Sequence, residues 1–70
     1  MGILEEETRV KILKALKRHP KGLMISDLSS RLRINRNVMA KYLEILLVSG
    51  DVEMDIQGNA KLFTLSKRIP

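Results

Sequence analysis

The stretch RLRINRNVMAKYLEIL, residues 31–46, places Arg31, Arg33, Arg36 and Lys41 within its first eleven positions, with no acid before Glu44. Side chains of these types bind anions. The second half of the stretch has helical periodicity, so the cations gather where a helix begins. That end of a helix already carries partial positive charge from the backbone dipole. Adding cations there makes physical sense if an external anion is to be held. Phosphate is the natural candidate, because Arg presents a planar fork to it and Lys a point charge.

Other chemistries find no support in the residue types. The chain has no cysteine, so it has no disulfide, no thiolate metal site and no thiol nucleophile. His19 is the single histidine, and one histidine does not build a zinc centre. It falls at a helix end and reads as a solvated cap rather than a base. The serines of SDLSS have no base within reach along the sequence. GNAK lacks the spacing, and the following Ser or Thr, of a phosphate-binding loop. The expectation is a domain that is not an enzyme and uses neither metal nor cofactor.

The 70 residues are enough for one small domain, and 44% of them are hydrophobic. Without staples, stability must come from packed aliphatic side chains. Thirteen Lys and Arg against eight Asp and Glu give a net charge of +5, which favours polyanionic partners. The plainer reading of that charge is a soluble domain that is merely basic. No apolar run approaches the roughly 20 residues of a membrane span, and no secretory signal is visible. A cytoplasmic protein without a membrane partner is expected.

The elements that would position the cations follow from periodicity and punctuation. EEETRVKILKALKR predicts a helix over 5–18, with Glu5, Glu6 and Glu7 at its start and Lys17 and Arg18 at its end, both complementing the dipole. Ile12, Leu13 and Leu16 form its apolar stripe, with Val10 at the edge. Pro20 and Gly22 stop it. LMI, residues 23–25, predicts a minimal strand. Ser26 is the expected N-cap of a short helix over 26–33, in which Leu28 and Leu32 sit at i, i+4. Ile34 is a buried hinge, and Asn35 caps a helix over 36–49. On that helix Met39, Leu43 and Leu46 share one face, flanked by Tyr42 and Leu47, while Asn37, Ala40, Lys41 and Glu44 face away. Val48 falls near the outer arc and is expected to be covered by the chain that follows. Gly50 ends the helix.

After Gly50 the period becomes two. Val52, Met54 and Ile56 alternate with acids over 51–56, as in a strand half-buried on its apolar face. A second strand over 60–65 completes a hairpin about Gly58 and Asn59. A short helix joined to a longer one by a tight turn is the helix-turn-helix signature, and the hairpin adds a wing.

From Leu23 to Leu65 the sequence resembles a winged helix-turn-helix domain. ISDLSSRL resembles the first motif helix, INRNVMAKYLEILLVSGDVE the turn, recognition helix and exit, and DIQGNAKLFTLS the wing. The resemblance implies an α+β fold whose 36–49 helix enters the major groove of double-stranded DNA, about 12 Å wide. It implies base contacts from Arg36, Asn37, Ala40 and Lys41. Arg can pair with guanine, Asn with adenine, and Ala can touch a thymine methyl. Arg31, Arg33, Asn35 and Lys61 are then phosphate contacts, and Gln57, Gly58 and Asn59 belong to the wing. Asp55 opposes phosphate there. A homodimer on a two-fold site is expected. The ending AKLFTLSKRIP after SGDVEM resembles the N-terminal winged helix that precedes PAS-type sensor domains in archaeal regulators, which implies a C-terminal sensor domain in a longer chain.

Local pairing offers a competing account of each cation. Arg31 could pair with Asp27 at i, i+4 and Lys41 with Glu44 at i, i+3, leaving Arg33 as a solvated turn residue. Two other functional classes compete with DNA binding. A protein-interaction or dimerisation module would use the first helix together with Ile3 and Leu4. RNA recognition would need stacking aromatics, and Tyr42 and Phe63, the only two aromatics, both read as core.

Overall fold

The computed structural model describes residues 6–66. Glu5, Ile3, Leu4 and the KRIP tail lie outside them. Three helices precede one hairpin: α1 Glu6–Arg18, α2 Ile25–Leu32, α3 Arg36–Ser49, β1 Val52–Gln57 and β2 Ala60–Leu65. The strands are antiparallel and pair Val52 with Leu65, Met54 with Phe63 and Gln57 with Ala60. This is the expected α+β winged helix-turn-helix arrangement.

The core sits where the three helices meet the base of the hairpin. Ile12 and Leu16 of α1, Leu28 of α2, and Met39, Leu43 and Leu46 of α3 are buried together with Val52 and Phe63. Each such aliphatic side chain contributes about 1.5–3 kcal/mol relative to an exposed one. Tyr42 is also buried, so both aromatics belong to this core.

The turn between α1 and α2 shows why Gly22 is needed. Its φ is +102°, and an added Cβ would lie 3.0 Å from Thr64 Cγ2 and 3.1 Å from Leu62 Cβ. The backbone therefore passes against the second strand. Leu23 follows and bonds Phe63 in both directions, N–H to carbonyl at 3.0 Å and 2.8 Å. The strand expected over 23–25 is reduced to this single bridge.

Three expectations are corrected. The first concerns α2, which begins at Ile25 with Met24 as its cap residue, so Ser26 is not the N-cap. Asp27 accepts the Met24 backbone N–H at 3.2 Å and holds the helix start from inside the first turn. The second concerns β1. Only Val52 is buried, and the rest of the strand is exposed, with Met54 at 39% and Ile56 at 61%. Alternation does put these side chains on one face, but the helices cover only the base of that face. The third concerns Val48, which is 86% exposed. The chain after α3 turns back under the helix instead of over it. Gly50 N–H bonds Leu46 and Leu47 carbonyls, and Asp51 N–H reaches Leu46 O at 2.9 Å.

A polar tie, unmarked in the sequence, joins α1 to this same corner. Arg9 Nη2 lies 3.1 Å from Asp51 Oδ2 and Nη1 lies 3.2 Å from Glu6 Oε2. Ser49 Oγ is 3.1 Å from the same Asp51 oxygen. The hydrogen bond to Asp51 raises the Arg9 pKa above its ordinary value, against a smaller opposing effect of burial.

Candidate nucleic-acid interface

The start of α3 is built by Asn35. Its Oδ1 accepts the Asn37 N–H at 2.8 Å, and its carbonyl accepts Met39 N–H at 2.8 Å. The expected cap is present, and it occupies the Asn35 side-chain oxygen. The side-chain NH2 is the part of Asn35 left to face an anion. The first turn of α3 contains no acid, so nothing on the helix itself compensates the positive end of its dipole.

Arg36, Asn37 and Ala40 line one flank of α3 above an open groove, and Asn59, Ala60 and Lys61 of the wing line the other side. Met24, Leu43, Leu47, Met54 and Phe63 also line it. The groove thus brings together Arg36, Asn37, Ala40, Asn59 and Lys61 of the expected site. Lys41 lies on the opposite flank of α3, beside Ile45, Val48 and Ser49. Arg31, Arg33 and Asn35 are exposed outside the groove, around the turn between the two motif helices. Gln57 and Gly58 form the exposed wing tip. Gly58 has a φ of +62°, which suits the first position of a two-residue hairpin turn. The Gln57 side-chain amide donates to Asp55 Oδ2 at 3.0 Å, so Asp55 is partly satisfied within the wing.

The electrostatics of the turn are open. Among the described residues, Arg31, Arg33, Arg36, Lys41 and Lys61 form no ion pair. The local pairs Arg31 with Asp27 and Lys41 with Glu44 do not form. Arg33 is also the only described residue other than glycine with positive φ, at +55°. It ends α2 in the left-handed region, where side chains other than Gly and Asn are disfavoured.

One feature escaped the sequence reading: Val38 of α3 is 44% exposed. Glu44, expected on the outer face, borders both the groove and the outer patch of Lys41, Ile45, Val48 and Ser49. Among the described residues no three His, Cys, Asp or Glu side chains are grouped to hold a metal, and no helix is long and apolar enough to cross a membrane.

No protein-family model and no curated protein matches the chain. Solved structures do. The protein AF1382 of Archaeoglobus fulgidus superposes with a TM-score of 0.76 at 16% identity, over 94% of this chain and 76% of that one. A protein of Ralstonia eutropha JMP134, provisionally named as DNA-binding, superposes with a TM-score of 0.74 at 13% identity, over 93% of this chain and 88% of that one. The shared feature is the fold. At such low identity the likeness extends to the backbone frame of helices and wing and not to individual side chains.

Proposed function

We propose that the chain is a DNA-binding transcriptional regulator, or the DNA-binding domain of one, that inserts α3 into the major groove. The observation that carries this reading is the set of exposed cations around the turn into α3, none of them neutralised by a described residue. Arg31, Arg33, the Asn35 amide and Lys61 hold phosphates and set the register. Arg36, Asn37, Ala40 and Lys41 meet base edges, while Gln57, Gly58 and Asn59 of the wing lie beside the adjoining backbone. The DNA-binding name of the Ralstonia eutropha protein, which shares this fold, supports the same reading. The proposal includes a homodimer on a two-fold site, a cytoplasmic location, a C-terminal sensor domain as in archaeal PAS-type regulators, and no catalytic step.

The test is anisotropy of a labelled random duplex over a range of salt. The expected result is a steep negative log–log salt slope for the wild type, of about 0.9 per phosphate neutralised. Arg36→Ala combined with Lys41→Ala should bind more weakly, with a shallower slope. Absence of affinity at low salt would sink the reading.

A second reading has one observation in its favour. Val38, Lys41, Ile45 and Val48 follow one another at spacings of 3, 4 and 3 along the exposed face of α3, the repeat of a helix that packs on another. A protein-interaction or dimerisation module would use that stripe. In that case Val48→Asp would dissociate an oligomer in sedimentation, and the salt-dependent DNA affinity would be missing.

A further inference from the structure

Glu44 is the one acid on the face that carries Asn37, Ala40, Lys41 and Val48. It lies one turn beyond Ala40 and Lys41 and one turn before Val48. Its side chain is exposed and forms no ion pair among the described residues, not even with Lys41 at i, i−3. It borders both the wing groove and the outer patch, so it occupies the middle of the outward surface. On a helix that enters DNA, an unneutralised carboxylate meets a phosphate field of its own sign. Its presence lowers affinity for every duplex, unless something in the groove accepts it.

The chemistry narrows that something. A carboxylate only accepts hydrogen bonds. In the major groove guanine presents two acceptors, and thymine one acceptor and a methyl. Adenine offers an amino donor, but its N7 acceptor stands beside it. Cytosine presents its N4 amino group as donor with no acceptor of its own on that edge. Of the residues one turn to either side, Ala40 and Val48 end in methyl groups, and Lys41, the one donor among them, forms no ion pair with Glu44. We propose that Glu44 is a further specificity-determining residue of this interface, accepting from a cytosine N4 amino group and penalising other bases at that position. This rests on the DNA-binding reading above and deepens it: Glu44 adds selection for cytosine to the base contacts of Arg36, Asn37, Ala40 and Lys41.

The experiment is selection from a random duplex library with wild type, Glu44→Ala and Glu44→Gln, followed by anisotropy on the selected site with each base at the preferred position. Wild type should recover a site with one cytosine that single substitutions weaken about 5- to 150-fold. Glu44→Ala should lose the preference at that position alone and bind random duplex more tightly than wild type. Glu44→Gln should shift the preference towards adenine, which pairs bidentately with a side-chain amide. Thermal melts of both variants should match wild type, since the side chain is exposed and unpaired. If both variants select the wild-type site with unchanged preference, the proposal is overturned while the DNA reading stands. If wild type itself shows no salt-dependent duplex affinity, the DNA reading fails and this proposal with it.

Discussion

Arg9 and Arg36 are the same side chain in opposite circumstances. Arg9 is tied to Glu6 in its own helix and to Asp51 at the exit of α3, 42 residues away. Arg36, like Arg31 and Arg33 beside it, has no ionic partner among the described residues. The first arrangement uses charge to hold α1 against the corner that launches the wing. The second leaves charge on the surface, where self-repulsion makes it a small liability in the free protein. What the difference teaches is that basicity here is divided between two tasks. Only the unpaired part is available to a polyanion, so the net charge of +5 is a poor guide to either task by itself.

The largest test of that division removes the unpaired set. With Arg31, Arg33, Arg36 and Lys41 all changed to Ala, duplex affinity near 0.1 M salt should fall on the order of a thousandfold, and the salt slope should flatten by at least about two phosphate contacts, those of Arg31 and Arg33. Folding stability should change by no more than about 1 kcal/mol, since surface substitutions away from buried features cost little. A large loss of stability in a chemical denaturation curve would mean that these cations also hold the fold, and the division would collapse.

Arg9→Ala is the reciprocal variant. It removes hydrogen bonds to two carboxylates, one of them the partly buried Asp51. The expected cost is about 1 kcal/mol, read as a lower urea midpoint, because the group is partly solvated and such pairs are screened. A double-mutant cycle with Asp51→Ala should return a coupling energy of about 0.5–1 kcal/mol. The salt slope of DNA binding should stay at its wild-type value. A slope as reduced as that of the Arg36 and Lys41 variant would place Arg9 in the DNA-facing set instead.

Much of this layout was legible in the residues, and the parts that were not share a cause. Asn35 and Gly50 bracket α3, and both signals are local: a side-chain oxygen over the first turn and a left-handed residue after the last. The wing turn at Gly58 is equally local. Periodicity also placed Asn37, Ala40, Lys41 and Glu44 on the outer face. What local signals do not carry is whether a neighbour lies above a given face. Met54 and Ile56 share a face with Val52, yet the helices stop short of them. Val48 is left bare because the chain turns inward after Gly50. Arg9 and Asp51 meet only through tertiary packing, and no spacing rule spans 42 residues. For the candidate site, residue type and face were legible. Its partition between groove, outer flank and turn depended on where the wing stands.

Arg33 gives the smallest expected effect and the sharpest form of the comparison, because charge and conformation meet in one residue. At φ +55° it occupies the position after a helix where glycine is favoured. A side chain other than glycine there costs about 1–2 kcal/mol. Replacement by glycine also loosens the unfolded chain, which costs about 0.4–1 kcal/mol. The net expectation for Arg33→Gly is a protein more stable by roughly 0.5–1 kcal/mol that has lost one phosphate contact. Arg33→Ala keeps the conformational cost and loses the same contact, so it should match wild-type stability while sharing the shallower salt slope. Denaturation midpoints and salt slopes for the two variants separate the contributions. If Arg33→Gly is less stable than wild type, the arginine side chain has a structural role at the turn. If it is more stable but binds DNA with an unchanged slope, the strain is held for some purpose other than phosphate. If stability rises and the slope falls together, the left-handed turn is a place where this fold keeps a cation at the expense of its own stability. That is the behaviour expected of a residue retained for what it touches outside the molecule.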